Sequence, residues 1–518
     1  VSRIRTNTLS LGSSFFVTAF LALAQVKLIT NFLSQTDVGV WSAVTAVGAL
    51  LTAFSELGMP QVLVRYGAKY DVEDRLARLE RLHNFTLAVY LGAMVVVVGV
   101  LIVAGPLVAR LLGGSEVNRW LLVLGYFAWA SGTLRALNNA SFRGLRRMPI
   151  MAGLEITFSL VVTLAYFLMR HYLSVHLALT AFLGTSLLVG LAGHGLLIRL
   201  LAALRGEETV PAETSPIFPE IRRFWGGAAA AGVLLIFIEQ LDKTLIAGLV
   251  SFTALAIFHV AARLALFARR LLYVPFQVMY PEITHKWEGS RRQELPADME
   301  LFIKLELGLG LMLMVFLTLF ARPLLLLVST PEFLPGAPVL WVFTAVVPFL
   351  CLYQPLILFL RAIGSVWYAF AADCTWLVIY LVLGSFFVRP LGLPGFVAGQ
   401  VVASVVVLTY ALTIFRRLGL PRPPTPFFLK RLALAAVVWA LAVAAGSRLP
   451  ALPWWAMGAL ALALAVLGNF LLVRGGFLTR REEQRAVAML AGSGPAGRAA
   501  QFLLAWPRGG VRALTGER

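Results

Sequence analysis

Apolar runs of about 20 residues, separated by short polar breaks, recur along the whole chain. A bilayer core about 30 Å thick takes a helix of about 20 predominantly apolar residues, so each run reads as a membrane span. The pattern predicts fourteen spans, centred near residues 20, 48, 93, 130, 160, 187, 237, 262, 312, 349, 377, 404, 439 and 463. A membrane barrel would show short segments of alternating polarity instead, and these do not occur. Backbone polar groups in lipid must bond within their own segment, so the expected fold is an all-α polytopic bundle. The first run follows Arg3 and Arg5 and passes through Ala22-Leu23-Ala24 like a secretory signal. It continues past Lys27 to Leu33 and has a counterpart later in the chain, so a span is expected there.

Composition agrees: of 518 residues 59% are hydrophobic and 13% charged, with a mean hydropathy of +0.84 and a net charge of +19. Soluble domains carry about 25% charged residues. The cations concentrate in alternate loops: Arg65, Lys69, Arg75, Arg78 and Arg81; Arg143, Arg146 and Arg147; Arg205, Arg222 and Arg223; Lys286, Arg291 and Arg292; Arg416, Arg417, Arg422, Lys430 and Arg431. The intervening loops carry scattered ones such as Arg110, Arg119, Arg170, Arg322, Arg389 and Arg448. By the positive-inside rule both termini are expected in the cytoplasm, which requires an even number of spans. Most of the charge is therefore a topology signal rather than a sign of nucleic-acid binding, and the basic tail from Arg474 to Arg518 suits anionic lipid. Cys351 and Cys374 fall inside spans without disulfide or metal spacing and read as small buried hydrophobes.

The chain also repeats itself. Leu33–Trp41, L-S-Q-T-D-V-G-V-W, aligns with Val250–Phe258, V-S-F-T-A-L-A-I-F, at a shift of 217, and Pro106-Leu107 falls on Pro323-Leu324. One residue further, Phe142-Arg143-Gly144-Leu145 falls on Leu360-Arg361-Ala362-Ile363, and Glu155-Ile156-Thr157 on Asp373-Cys374-Thr375. The expected organisation is a six-helix bundle over 1–204, a polar linker over 205–222, a second six-helix bundle over 223–418, two extra spans over 419–475 and a basic cytoplasmic tail over 476–518. Six is even, so the halves are parallel repeats, an architecture used for alternating access around a midplane site.

A charge at the bilayer centre costs several kcal/mol, so those present face a bundle interior or a wet cavity. Lys27, Arg135, Glu239, Asp242, Lys243 and Arg263 stand out, and the repeat places Lys27 beside Lys243 within one residue. Ser131, Arg135 and Asn138 or Asn139 form one stripe at helical spacing, and His259, Arg263 and Arg270 another. Glu239 and Lys243, at i and i+4, can neutralise each other, whereas Arg135 and Arg263 have no acid nearby on their own helices. Arg143 with Glu155, and Arg361 with Asp373, bracket equivalent turns and read as hairpin salt bridges, with ion coupling as the sharper alternative. His83 and His285 are expected to be solvated, and His171 and His176 to flank an outer turn without metal spacing. Phosphate-loop, zinc-protease and nucleophile-elbow motifs are absent, and no polar segment is long enough for a catalytic domain, so no enzyme is expected.

Phe54–Tyr66, F-S-E-L-G-M-P-Q-V-L-V-R-Y, following D-V-G-V-W, resembles the second-helix signature of bacterial polysaccharide flippases. Gln240–Leu249, Q-L-D-K-T-L-I-A-G-L, and Ala256–Leu264, A-I-F-H-V-A-A-R-L, are similar to their seventh and eighth helices. The likeness extends to about Leu418 and implies the multidrug, oligosaccharidyl-lipid and polysaccharide exporter superfamily, with fourteen helices in the bacterial inner membrane. It implies as substrate an oligosaccharide on polyprenyl pyrophosphate, moved by alternating access for cell-surface polysaccharide biosynthesis. A pyrophosphate entering a low-dielectric cavity needs cations, and Lys27, Arg135, Lys243 and Arg263 are the candidates, with Arg65 near the cytoplasmic mouth. Gln25, Asn31, Gln61, Asn138 and Gln240 are candidates for glycan hydroxyls. Glu56, Glu239, Asp242, Glu155 and Asp373 are candidates for ion coupling. No metal or cofactor is expected, and the energy source would be a proton or sodium gradient, the membrane potential or consumption of the product. Expected partners are the lipid-linked glycan, membrane lipid, a glycan polymerase and glycosyltransferases, with no nucleic acid. A drug antiporter of the same fold would have an acid-dominated lumen, and a scaffold of a glycan assembly complex would need no polar seam. An embedded glycosyltransferase or polymerase would carry a long acidic outer loop, which this chain lacks.

Overall fold

The computed structural model describes residues 2–448, apart from 74, 114–115, 206–216, 289–291 and 421–424, together with Ala456. The described elements are all helical. Every span centre expected from 20 to 439 falls inside a helix, while the one near 463 and the tail over 476–518 lie outside the described residues.

Among the described residues, eleven helices are long and apolar enough to cross a membrane. Two features account for all of the difference from the fourteen expected spans except the one near 463, which lies outside the described residues. Helix α5 (Arg119–Gly144) has 26 residues but carries Arg135, Asn138 and Asn139, and so is more polar than the eleven. Helix α13 (Val366–Arg417) contains two expected spans, joined through a sharp kink. Its backbone leaves helical geometry at Gly392 (φ 65°, ψ −155°), between Pro390 and Pro394, a turn that an L side chain would strain. The two arms then fold back on each other: a Cβ on Gly399 would lie 2.7 Å from Gly384 N and 2.8 Å from Tyr380 O.

The turn at Leu33-Ser34 separates α1 (Ser2–Phe32) from α2 (Gln35–Glu56). Ser34 Oγ accepts from Asp37 N at 3.1 Å and donates to Asp37 Oδ2 at 2.7 Å, which caps the start of α2. At the repeat position Ser251 Oγ accepts from Ala254 N at 3.0 Å, between α8 (Phe218–Leu249) and α9 (Phe252–Glu288). These equivalent turns meet. Thr36 Oγ1 lies 3.4 Å from Thr253 Oγ1, and Ser42 Oγ 2.8 Å from His259 Nδ1, each pair 217 residues apart.

The polysaccharide-flippase-like stretch Phe54–Tyr66 turns out to be a break between two helices. Helix α2 ends at Glu56, Leu57 and Gly58 take left-handed conformations, and α3 runs Met59–Val72 with Pro60 in its first turn. The Leu57 carbonyl freed by the break accepts from Trp225 Nε1 at 2.7 Å. A Cβ on Gly58 would lie 2.4 Å from the Ala228 carbonyl carbon, so this position admits the close approach of α8 as well as the turn.

The chain divides into two compact units. Among the described residues, the first comprises those up to His259 with Val328–Glu332, and the second Val260–Leu327 with those from Phe333 on. Helix α8, expected with the second bundle, belongs to the first unit, because it packs on α2 and α3. It also starts at Phe218, so the last residues of the expected linker are helical. Helix α4 (Leu76–Leu111) shows the inverted polarity of a lipid-facing element: Val95, Val103 and Leu111 are 69%, 83% and 68% exposed.

Candidate functional site

Within the first unit most of the expected site residues fall into four polar neighbourhoods. The first joins α5 to α6 (Met148–Leu168) and α7 (Val175–Arg205). Arg135 Nη1 donates to Glu155 Oε2 at 2.8 Å, Asn139 Nδ2 donates to Glu155 Oε1 at 2.5 Å, and the guanidinium carbon sits 3.5 Å from the Phe158 ring centroid. Arg135 and Asn139, four residues apart, lie on one face of α5 and grip both carboxylate oxygens. Asn138 Nδ2 donates instead to Gly190 O at 2.8 Å. Arg135 Nε, Asn138 Oδ1, Asn139 Oδ1 and Ser186 Oγ are buried without hydrogen-bond partners among the described residues.

This changes two expectations. Glu155 pairs with Arg135 rather than with Arg143, which contacts Met151 Sδ at 3.9 Å. Arg135, with no acid on its own helix, finds one on the neighbouring helix, a relation that spacing within α5 cannot express. In the second unit the matching pair forms as expected, Arg361 Nη2 donating to Asp373 Oδ2 from α12 (Ala337–Ala362) to α13.

The second neighbourhood is the end of α1. Lys27 Nζ donates to Ser329 O at 2.7 Å, Thr30 Oγ1 to Val328 O at 3.4 Å, and Gln35 on α2 to Glu332 O at 3.0 Å. Gln25 reaches α6, donating to Ser159 O at 3.2 Å and Thr163 Oγ1 at 3.0 Å, while Asn31 is exposed.

The third lies on α8. Lys243 Nζ folds back to the Glu239 carbonyl, donates to Gln240 Oε1 at 3.0 Å and approaches Asp242 Oδ1 at 3.7 Å. The expected pairing of the Glu239 and Lys243 side chains is thus replaced: Asp242 supplies the acid, and Glu239 is exposed. The repeat does put cations on matching helices, but Lys27 and Lys243 both donate to main-chain carbonyls. Arg263 lies half-buried on the part of α9 that belongs to the second unit.

The fourth surrounds the start of α8. Glu220 accepts from Lys69 Nζ at 2.7 Å, Arg78 Nη2 at 2.7 Å and Tyr70 Oη at 2.9 Å, and its carbonyl accepts from Tyr66 at 2.9 Å. Partial burial pushes the Glu220 carboxyl up, but the hydrogen bonds from Lys69, Arg78 and Tyr70 outweigh it and hold it down at about 2. Tyr70 is pushed up to about 12, first by burial, with the Glu220 carboxylate adding to the effect. Arg65 exposes its guanidinium with its carbon 4.4 Å from the Phe224 ring centroid, and Gln61 is exposed one turn earlier. Glu56, at the helix break, accepts from Thr133 at 2.8 Å.

Three buried polar features escaped the reading of the sequence. His83 is 2% exposed rather than solvated: its Nδ1 lies 3.0 Å from Ser141 Oγ, and its Nε2 lies 3.3 Å from Nδ1 of His194, on which it stacks. Lys304 and Glu306 interrupt the apolar run of α10 (Leu295–Leu319) and are 7% and 2% exposed. The signal that singles out Arg135, a charge within an apolar run, applies equally to these two. Among the described residues no cluster of three or more His, Cys, Asp or Glu side chains is placed to hold a metal.

The sequence profile described as polysaccharide biosynthesis protein matches residues 4–287. The chain belongs to that family. Its fold is that of solved membrane transporters. A lipid II flippase MurJ in an inward closed conformation is similar at a TM-score of 0.68 and 14% identity, over 91% of this chain and 99% of that one. An inward-facing multidrug resistance MATE family transporter of the MOP superfamily is similar at 0.59 and 16%, over 78% and 95%. A point mutant of the Vibrio cholerae MATE transporter VcmN is similar at 0.50 and 16%, over 80% and 98%. A search of curated proteins gave no significant match. The family member is thus a multi-pass membrane protein with the fold shared by those transporters.

Proposed function

We propose that this polysaccharide biosynthesis protein flips an oligosaccharide carried on polyprenyl pyrophosphate across the bacterial inner membrane by alternating access, with both termini in the cytoplasm. The observation that carries the reading is a conjunction: a family profile for polysaccharide biosynthesis covers more than half of the chain, and a lipid II flippase shares its fold over 91% of it. The chemistry is compatible. Arg65 offers an exposed guanidinium on an aromatic face, and an incoming pyrophosphate can exchange the carbonyl contacts of Lys27 and Lys243 for stronger charge-assisted bonds. The lipid tail stays in the bilayer while the head group crosses.

Glycan export by the Asp242→Asn, Lys243→Met double variant tests the assignment of Lys243. Removing both charges leaves no stranded acid, so the membrane level is expected to hold while export is lost. Full export would sink the substrate-contact role. The likeness to MATE transporters keeps a drug antiporter as the second reading, and changed resistance to cationic drugs in the same cells would favour it.

A further inference from the structure

Glu306 lies midway along α10 and is 2% exposed. Its Oε2 is buried without a hydrogen-bond partner among the described residues. The charged groups on the elements packed against α10 are engaged elsewhere. On α10 itself Lys304 pairs with Glu300 at 3.0 Å. Lys286 holds Glu294, of the turn Arg292–Glu294, at 3.0 Å and Asp298 at 2.6 Å. On α12 Arg361 pairs with Asp373, Tyr353 accepts from Gln354 at 3.4 Å, and the buried Cys351 thiol packs against Gly310, one turn beyond Glu306. On α14 (Thr425–Gly446) Lys430 is exposed and Arg431 has contacts of its own.

An ionised carboxylate with an unpaired oxygen in such a place costs several kcal/mol, whereas the neutral acid avoids the charge. A packing role does not require an acid there, because the repeat shift of 217 puts Val89 at the matching position of the first half. A single carboxyl beside a thiol also lacks the ring of oxygens that a hard cation needs. We propose that Glu306 is a proton-binding site in the membrane core of the second unit, and that loading and unloading it couples transport to a proton gradient. The coupling role rests on the transporter reading; the proton site does not.

Infrared spectroscopy of the full chain in liposomes at neutral pH tests the site. A carboxylic-acid C=O band is expected that Glu306→Gln removes and Glu306→Asp shifts. Identical spectra for wild type and Glu306→Gln would overturn the proposal. Gln copies the neutral acid in size, so the variant is expected to reach the membrane at the normal level. In the same liposomes, an imposed pH gradient is expected to accelerate glycan flipping by the wild type, with loss of that response in Glu306→Gln. An unchanged response in the variant would overturn the coupling role. If the wild type moves no glycan, the flippase reading falls and the coupling role with it, and the infrared result still decides the proton site.

Discussion

In the α5–α6 hairpin Glu155 is gripped by Arg135 and Asn139 from the turns before the loop, while in the repeat-related α12–α13 hairpin Asp373 bonds Arg361 across the loop itself. Both hairpins carry the same pair of charges, Arg143 with Glu155 and Arg361 with Asp373, at a shift of 218. What differs is the competitor. At that shift Arg135 corresponds to Tyr353 and Asn139 to Ile357, so neither of those two positions offers Asp373 a cation or an amide. The contest is also uneven in burial. Arg135 is 14% exposed and Arg361 39%, and a cation shielded from water gains more from an acid than one that water already solvates.

The sharpest way to break this comparison is to remove the acid from the first hairpin. Glu155→Gln strands a largely buried guanidinium; Glu155 itself is 33% exposed, so the cost falls below that of a fully buried pair, about 1–3 kcal/mol, and a clear fall in membrane level and in thermal stability of the extracted protein is expected. Exchanging both Arg135 and Glu155 for Met should recover much of the loss. A normal level in the single variant would show that the pair is not what holds α5 to α6.

An acid outside the membrane comes next. Glu220→Gln removes charge-assisted hydrogen bonds from Lys69 and Arg78, each class worth about 1.5–3 kcal/mol, and should loosen the start of α8, read as faster amide exchange over Phe218–Trp225. Because the folded Glu220 carboxyl titrates at about 2, below its ordinary value of 4.5, its stabilisation is complete above about 4.5 and is lost as pH falls towards 2. Amide exchange that is flat over that window in the wild type, or equal in the variant, would contradict the assignment.

The smallest effects belong to the loop charges. Asp373→Asn breaks a partly exposed pair and should cost at most about 1 kcal/mol. Arg143→Ala removes only a side chain resting on Met151 and should stay within about 0.5 kcal/mol. A loss for Arg143→Ala as large as that for Glu155→Gln would erase the distinction between the hairpins.

The span pattern was legible because lipid imposes it locally: each segment must satisfy its own backbone and be apolar along its length, a property of consecutive residues. The repeat was legible for a similar reason, since the capped turns at Ser34 and Ser251 depend on short sequence. The break at Leu57-Gly58 was visible only as an unexplained signature, because a helix interruption in a span needs a neighbour to take the freed carbonyl, and Trp225 comes from 168 residues away.

Partners of the buried charges were decided by the tertiary structure. Sequence spacing offered Arg143 to Glu155 and Glu239 to Lys243, but a charge pairs with whatever lies across the helix interface. Arg135 and Asn139 took Glu155, and Asp242 with the Glu239 carbonyl took Lys243. The grouping of α8 with the first unit has the same cause: Gly58 against Ala228 and Tyr66 and Glu220 joined by a hydrogen bond are contacts between distant residues. Hydropathy fixes which residues enter the bilayer, since transfer from water depends on each residue and its immediate neighbours. Which buried charges meet depends on how helices distant in sequence pack, and only the folded chain brings those surfaces together.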